Sequence, residues 1–199
     1  MLSIRPCTDR SAWTAFLDEQ VPHTFLQSWE WKEMNEQNGQ EAIPLGIFED
    51  DVLVGTALTI FTKARRGSFL LIPHGPIVHA SRITHHISSE NVWNLLTEAW
   101  KRLAKERKAV FIRVCPLLED TAPHTSLLQD HGFKPAPTHQ HPELAWMLDL
   151  SSTEEDLLKN ARKTTRQSIR KAEEAGVTVE FTTDQNSLDA FWKVYETTV

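Results

Sequence analysis

The spacing of apolar residues in the first part of the chain predicts a strand, two helices and then three further strands. The segment LSIRP predicts a short strand, and Thr8 and Asp9 are suited to cap the helix that follows. A second helix is expected to begin at Gln27-Ser28. The next three segments, 42–50, 52–64 and 68–79, are rich in β-branched and aromatic residues. The short polar turns between them predict an antiparallel meander.

The middle of the chain alternates helices with extended segments. A long helix capped by Ser88 or Ser89 is expected, because apolar residues recur at helical spacing from Val92 to Ala104, among them Leu95. The remaining elements are a buried strand at 109–116, a short helix at 125–131 and extended segments at 133–141 and 143–150. The order βααβββαβαββ predicts an α/β fold with a mixed sheet covered by helices. It matches the acyl-CoA N-acyltransferase (GNAT) fold, an analogy that fixes no function by itself.

The character of the chain changes after Leu150, so we expect one GNAT-like domain at 1–150 and the start of a second at 151–199. The expected elements of the second part are a helix from the capping boxes at Ser151 and Ser152 to Gly176, a strand at 177–183 and a helix from Ser187. One strand and two helices cannot bury their apolar faces unaided. Residues 151–199 therefore either begin a domain completed elsewhere or pack on the first domain.

Composition, apolar run length and net charge limit the classes of protein to which the chain can belong. The 199 residues are 40% hydrophobic and 24% charged, which is typical of a globular protein. No apolar run approaches the roughly 20 residues of a membrane helix, and no signal peptide is visible, so a cytoplasmic location is expected. The net charge of −6 argues against a whole-surface grip on nucleic acid. Any polyanion must therefore be bound locally.

The helix expected at 152–175 carries a basic stripe. Its cations step by three or four residues: Lys159, Arg162, Lys163, Arg166 and Arg170. A buried stripe is expected beside it: Leu158, Ala161, Thr165, Ile169 and Ala172. Converging cations suit the phosphates of tRNA or of a diphosphate-linked precursor. The alternative is a solvated face paired with Glu154, Glu155, Glu173 and Glu174.

Cofactor and metal motifs are missing from the sequence. No two of the seven glycines form a GxG, so no glycine-rich turn is available for coenzyme A, a dinucleotide or a P-loop, and no cofactor is expected. The pairs His85-His86 and His139/His141 lack any HExxH or Cys/His spacing, so no metal site is expected. Cys7 and Cys115 form no CxxC pair, and no catalytic triad is recognisable.

A series of segments resembles, in its order, the motifs of the Fem-type (FemA/FemB/FemX-like) aminoacyltransferases that form peptidoglycan bridges. The segments are QSWEWKEM at 27–34, IPHGPIV at 72–78, FIRVCP at 111–116, HGF at 131–133, and HPELAWMLDL followed by KTTRQSIRKAEEAGV. The resemblance spans nearly the whole chain. It implies a two-domain enzyme of twin acetyltransferase-like folds, of which this chain is the N-terminal portion, with the precursor held in a cleft of the first domain.

The resemblance also implies a set of substrate-binding residues. They are Gln27, Trp31, Lys32, Asn35 and His74 near the cleft, together with Lys163, Arg166 and Arg170 on the basic stripe. Two positions depart from the family. Asn35 stands where a lysine is frequent, and His74 stands where an arginine is common, which leaves phosphate binding at both positions open. Trp31 has core packing as its alternative role.

The implied activity is attack of a precursor amine on the ester of an aminoacyl-tRNA. Glu30, Glu143 and Asp149 are general-base candidates by charge alone, and a substrate phosphate is the alternative. The implied partners are aminoacyl-tRNA and a nucleotide- or lipid-linked peptidoglycan precursor, which allows peripheral membrane contact. An acetyl-CoA-dependent acyltransferase and a non-catalytic module that binds tRNA or precursor remain the competing functions.

Overall fold

The computed structural model describes residues 1–65, 67–79, 89–138, 140 and 148–198. The chain divides into two compact units, Met1–Glu143 and Leu144–Val199. None of the helices in these described ranges is long and apolar enough to cross a membrane.

The first unit is built on a mixed sheet, as predicted. Its strands are β1 (Leu2–Pro6), β2 (Glu41–Glu49), β3 (Val52–Thr62), β4 (Phe69–Pro73), β5 (Ile77–Val78) and β6 (Phe111–Cys115). Its helices are α1 (Arg10–Asp18), α2 (Trp29–Gln37), α3 (Ser89–Arg107) and α4 (Ala122–Asp130), with a 3₁₀ turn at Phe25–Gln27. The strand order is β1-β2-β3-β4-β6, and β5 pairs with β3. The β1–β4 meander is antiparallel, whereas β6 runs parallel to β4.

Local capping explains where the first helices begin and end. The Asp9 carboxylate accepts a hydrogen bond from the Ala12 amide at 3.0 Å and caps α1. The Ser28 hydroxyl accepts from the Trp31 amide at 3.1 Å and caps α2. Gly39, at φ 76°, follows the end of α2 in the left-handed region that glycine adopts readily. These predicted helix boundaries are confirmed.

Two hydrophobic clusters lie on opposite faces of the sheet. Trp13, Phe16 and Leu17 of α1 belong to the first cluster, which includes Phe69 and Leu71 of β4. The second cluster contains Val92, Trp93, Leu96 and Trp100 of α3 with Leu70 and Ile72 of β4. Successive side chains of β4 thus point to opposite faces, as strand geometry requires. Leu95, expected on the apolar face of α3, is exposed, and Trp93 packs in the core instead.

Two predicted strands of the first unit differ in the structure. The segment at 68–79 is not one strand, because the chain leaves the sheet at His74–Pro76 between β4 and β5. The strand β6 was expected to be buried, yet Phe111 is 44% exposed and the other β6 residues are half-buried. Residues 133–138 form no strand. His139, His141 and most of the extended segment at 143–150 lie outside the described residues.

The second unit contains three helices within the described residues, α5 (Glu154–Asn160), α6 (Lys163–Glu174) and α7 (Gln185–Glu196). The single helix expected at 152–175 is therefore wrong. Ala161 and Arg162 adopt extended ψ angles of 152° and 147° and separate α5 from α6. Neither Ser151 nor Ser152 caps α5. Its cap is Thr153, whose hydroxyl accepts from the Asp156 amide at 3.2 Å.

The remaining elements of the second unit also differ from expectation. Residues 177–183 form no strand, and no strand to pair with them occurs in the part of this unit that the structure describes. No residue of α5 or α6 is buried, so the expected buried stripe is wrong as well, and Leu158 and Ile169 are exposed. Gly176 ends α6 as predicted, at φ 74°.

Candidate substrate-binding site

Gln27, one of the residues predicted to lie near the cleft, has a side chain that is bonded entirely within the protein. Its side chain is 0% exposed. The amide nitrogen Nε2 donates to the Pro73 carbonyl, and the amide oxygen Oε1 accepts from the Leu58 backbone amide at 2.8 Å. The Gln27 carbonyl accepts from Trp13 Nε1 at 2.8 Å. Gln27 therefore ties the 3₁₀ turn to α1, to β3 and to the end of β4.

The pairing of β3 explains why an amide side chain is needed there. β4 pairs with β3 at residues 60–62, and β5 pairs with β3 at residues 55–56. Residues 57–59 lie between these two ladders, where the neighbouring chain has left the sheet. A buried backbone amide needs a partner, and Gln27 supplies it to Leu58 in place of a strand. Gln27 was predicted to bind substrate, but its position makes it a support for the loop after β4.

That loop consists of His74, Gly75 and Pro76. His74 adopts φ 50°, a left-handed conformation that histidine tolerates better than most residues. Its Nδ1 lies 2.9 Å from the Thr24 hydroxyl. Burial lowers the pKa of His74 below the ordinary 6.5, so the ring is neutral at pH 7. His74 therefore offers hydrogen bonding to an anion but no full positive charge.

Replacing His74 with asparagine is expected to reduce the loss of stability in mild acid. The pKa of His74 is lower in the folded protein than in the unfolded chain, so the unfolded chain binds the proton more readily. Stability is therefore lost as the pH falls below about 6.5 and through the folded pKa. Asparagine accepts positive φ and does not titrate. Urea unfolding at a series of pH values from neutral to mildly acidic measures this effect. The free energy of unfolding of His74→Asn should rise relative to that of the wild type as the pH falls.

The control for this experiment is His23→Asn, because His23 is an exposed histidine of the same unit. It reports how the replacement of an exposed imidazole by asparagine changes the same pH profile. Parallel pH profiles for the wild type and His74→Asn would contradict the assignment.

The polar side chains of Lys32 and Asn35 on α2 are both bonded within the protein. Lys32 Nζ lies 2.8 Å from both carboxylate oxygens of Glu36 and 4.9 Å from the centre of the Trp29 ring, and its side chain is 16% exposed. Asn35 is buried, and its Nδ2 donates to the Trp31 carbonyl at 2.7 Å. Neither residue presents an unbalanced cation to a phosphate. Their predicted substrate contacts receive no support from this geometry.

Of the predicted residues on α2, Trp31 is the one whose polar group has no partner among the described residues. It packs against the α1 side of the core, and Phe25, which is 66% exposed, meets its ring edge-on at 5.2 Å. The indole Nε1 is buried without a hydrogen-bond partner in the described part of the chain. Trp31 and Phe25 thus form an aromatic edge with one unsatisfied donor. Such an edge suits the apolar face of a sugar or a peptide.

The basic stripe divides into two kinds of residue. Arg166 Nη1 donates to the carbonyls of Lys159, at 3.0 Å, and Ala161, so it closes the end of α5 across the break. Lys163 and Arg170 are exposed and make no ion pair with any described residue. The pairing with neighbouring glutamates that the alternative requires does not occur in the described ranges. Arg166 is structural, whereas Lys163 and Arg170 are available cations.

The general-base candidates are poorly suited to accept a proton. Glu30 pairs with Arg10 at 2.7 Å, and its own backbone amide, followed by Arg10, lowers the pKa of its carboxyl. The backbone amide of Ser151 lowers the pKa of Asp149. Glu143 lies outside the described residues, as do the histidines at 85, 86, 139 and 141. Within the described residues, no group of three or more His, Cys, Asp or Glu side chains is arranged to hold a metal ion.

The predicted site residues fall into two sets. Gln27 and His74 lie around the loop after β4, with α2 carrying the other three, and Lys163, Arg166 and Arg170 lie in the second unit. Sequence reasoning missed Thr24 and Leu58, the partners of His74 and Gln27. A threonine in a connecting segment and a leucine inside a strand carry no local signal of such roles.

Comparison with known proteins gives one family. The model of the FemAB family matches residues 8–127 and 128–199. The lipid II:glycine glycyltransferase of Staphylococcus saprophyticus is 26% identical over 175 residues, which cover 83% of this chain and 41% of that protein. The Staphylococcus aureus enzyme of the same name (strain MRSA252) is 24% identical over 196 residues, covering 92% of this chain and 44% of that protein.

Solved structures agree with this assignment at the level of fold. The crystal structure of FemX matches with a TM-score of 0.69 and 22% identity, covering 95% of this chain and 48% of that chain. This likeness confirms the expected class, a mixed α/β fold of the GNAT-like Fem type. The chain spans less than half the length of the curated relatives it matches. Because the family model covers nearly all of it, the chain belongs to the FemAB family.

Proposed function

We propose that the protein is an aminoacyltransferase that moves an amino acid from aminoacyl-tRNA to the peptide of a peptidoglycan precursor. The observation that supports this most is the FemAB match over both parts of the chain. The glycyltransferases of the two staphylococci, whose names specify lipid II, align with 83% and 92% of the chain. Interpeptide bridge formation in the cytoplasm is the corresponding cellular role.

The proposed reaction requires the protein mainly to position its two substrates. The amine lone pair attacks the ester carbonyl, the N–C bond forms, and the C–O bond to the tRNA ribose breaks. The amine proton ends on the released ribose hydroxyl. Because the ester is already activated, holding both substrates in register and stabilising the oxyanion supply most of the rate. The pKa values of the Glu30 and Asp149 carboxyls are lowered, which makes both carboxylates weak acceptors for the amine proton.

In this proposal the two units bind different substrates. The aromatic edge of Trp31 and Phe25, beside the loop after β4, contacts the precursor. The exposed cations Lys163 and Arg170 contact tRNA phosphates. Both lie on one face of α6, since seven residues correspond to nearly two helical turns.

Removing the Lys163 and Arg170 side chains together should weaken tRNA binding without lowering stability. For Lys163→Ala/Arg170→Ala, the slope of log K against log salt is expected to become shallower by about 1 to 2, because each lost phosphate contact removes roughly 0.7 to 1. Binding of aminoacyl-tRNA, measured by fluorescence anisotropy across a series of KCl concentrations, gives the slope. The matched control is Lys171→Ala, on the same helix but about 100° away from Arg170.

The Arg166→Ala variant separates structure from binding. It is expected to lower the unfolding free energy, because the carbonyls at the end of α5 lose their donor. An unchanged salt slope in the double variant, or an equal change in the Lys171→Ala control, would contradict the assigned tRNA contacts.

Two other functions compete with this proposal. The GNAT-like fold favours an acetyl-CoA-dependent acyltransferase, but residues 80–88, which precede α3, contain no glycine to form a diphosphate turn. Such an enzyme would consume acetyl-CoA. A non-catalytic binding module is the second competing function. It would bind tRNA or precursor without turnover.

A further inference from the structure

Exposed cations gather at the end of the first unit where β4 and β6 begin. Two of them follow β3 in the turn to β4, and two lie at the end of α3: Lys63, Arg65, Lys105 and Lys108. The two segments meet, because the Val110 amide donates to the Ser68 carbonyl at 2.8 Å. An added Cβ at Gly67 would lie 3.0 Å from Val110 Cγ2. These four cations therefore surround one end of the sheet, the basic end.

The basic end carries local positive charge in a protein whose net charge is −6. The carboxylates of Glu41 and Glu106 lie at this end, and both bind Arg107, at 2.7 Å and 3.2 Å. Arg107 mainly, and Lys63 to a smaller extent, lower the pKa of the Glu41 carboxyl, which places Lys63 near this pair. The four cations of the basic end form no ion pair with any described residue. Such a local concentration of charge attracts polyanions although the protein as a whole is acidic.

Lys108 is held in a backbone conformation that lysine rarely adopts. It has a φ of 55° and follows α3 at the position where glycine usually ends a helix. The Lys108 amide bonds to the Lys105 carbonyl at 3.3 Å, and the Ala109 amide bonds to the Ala104 carbonyl at 2.8 Å, which is the Schellman pattern. A left-handed lysine lowers stability relative to glycine. Strained residues concentrate at functional surfaces, so we expect the Lys108 cation to have a function.

Exposed apolar side chains lie among these cations. Val110 is 66% exposed and Phe111 is 44% exposed. The Phe111 ring stacks on Phe69 at 4.7 Å, where β4 and β6 begin side by side. RNA phosphates bind cations but gain nothing from an exposed valine. A lipid surface gains from both kinds of residue, because anionic headgroups attract lysine and arginine while the headgroup boundary takes up apolar side chains.

We propose that the basic end docks the protein on the surface of an anionic lipid membrane. The cations contact the headgroups, and Val110 and Phe111 lie at the boundary with the acyl chains. The five residues of β4 separate this end from the loop at His74 by roughly 13 Å, so the docking surface does not include the candidate site. The inference goes beyond the proposed function and does not depend on the reaction. It supplies a surface for the membrane contact that a lipid-linked precursor requires.

Co-sedimentation with lipid vesicles tests the docking surface. Vesicles of phosphatidylglycerol mixed equally with phosphatidylcholine should bind the protein, and vesicles of phosphatidylcholine alone should not. Each lysine near an anionic leaflet strengthens binding about fivefold, so Lys63→Ala/Lys108→Gly should weaken vesicle binding about 25-fold. The matched control is Lys171→Ala/Lys193→Ala, which removes the same charge from exposed positions of the second unit. The loss in this control should be much smaller.

Two single variants separate docking from misfolding and lipid from RNA. Lys108→Gly removes the strained residue, so its thermal unfolding temperature should rise while vesicle binding weakens about fivefold. A fall in binding therefore does not come from loss of the fold. Val110→Ser leaves every charge in place, so it should weaken vesicle binding several-fold and leave the binding of deacylated tRNA unchanged.

Several results would overturn the docking surface. They are an absence of binding to the anionic vesicles, equal binding by the wild type and Lys63→Ala/Lys108→Gly, and an equal loss in the second-unit control. A double variant that loses tRNA binding but keeps vesicle binding would assign the basic end to RNA and also overturn the proposal. Vesicle binding is measured without either substrate, so docking without aminoacyl transfer would remove only the proposed function, and transfer without docking would remove only this inference.

Discussion

Replacing Gln27 with leucine is expected to lower the free energy of unfolding by about 3 kcal/mol or more, since two buried backbone groups lose their partners at about 1–3 kcal/mol each. These groups are the Leu58 amide and the Pro73 carbonyl. Leucine is close to glutamine in volume, so lost hydrogen bonding dominates over cavity formation. Urea unfolding monitored by tryptophan fluorescence gives the difference.

The control is Gln20→Leu. Gln20 is also buried, but its amide donates only to the Phe16 carbonyl within the same helical region. Its replacement should cost about 1 kcal/mol, the usual value for one hydrogen bond. Equal losses for the two variants would show that Gln27 does not join β3 to the end of β4.

Replacing Gly75 with alanine is expected to cost about 2–3 kcal/mol by overpacking. An alanine Cβ would lie 2.6 Å from Gln27 Nε2, 2.8 Å from its Cδ and 3.0 Å from its Oε1. Gln27 cannot move away without losing both of its hydrogen bonds. The same displacement should disturb the loop at His74, so weaker binding of a muropeptide should accompany the loss of stability.

Two further variants test the cause of the Gly75 effect. In Gly39→Ala, the added Cβ would lie within 4 Å of no other atom. The only expected cost is the strain of alanine at a φ of 76°, about 1 kcal/mol of unfolding free energy. In a Gln27→Ala background, the added cost of Gly75→Ala should largely disappear, because the crowded atoms are gone. A cost that persists in that background would rule out crowding against Gln27.

The predictable parts of this fold are those that depend on local chemistry. Asp9 and Ser28 cap their helices where the sequence predicts, since a cap needs only a short polar side chain and the next few amides. The antiparallel meander follows from strand propensity and short turns. Gln27 was placed correctly beside the loop, but its role depends on where β4 and β5 leave β3, which no local pattern reveals.

The wrong predictions for the second unit also arise from contacts that no local sequence pattern reveals. Helical periodicity continues through Ala161 and Arg162, because both residues favour helices. The break depends on Arg166 reaching back to two carbonyls, which requires the three-dimensional arrangement. The segment at 177–183 has strand propensity, but a strand also needs a partner.

The central claim is tested most directly by supplying the protein, expressed from its complete reading frame, with tRNA charged with radiolabelled amino acids and with a peptidoglycan precursor. Acetyl-CoA is offered in a parallel reaction. We predict that label passes from tRNA to the precursor, that ribonuclease treatment of the tRNA abolishes transfer, and that acetyl-CoA is not consumed. A folded protein that consumes acetyl-CoA and leaves the precursor unlabelled would contradict the account.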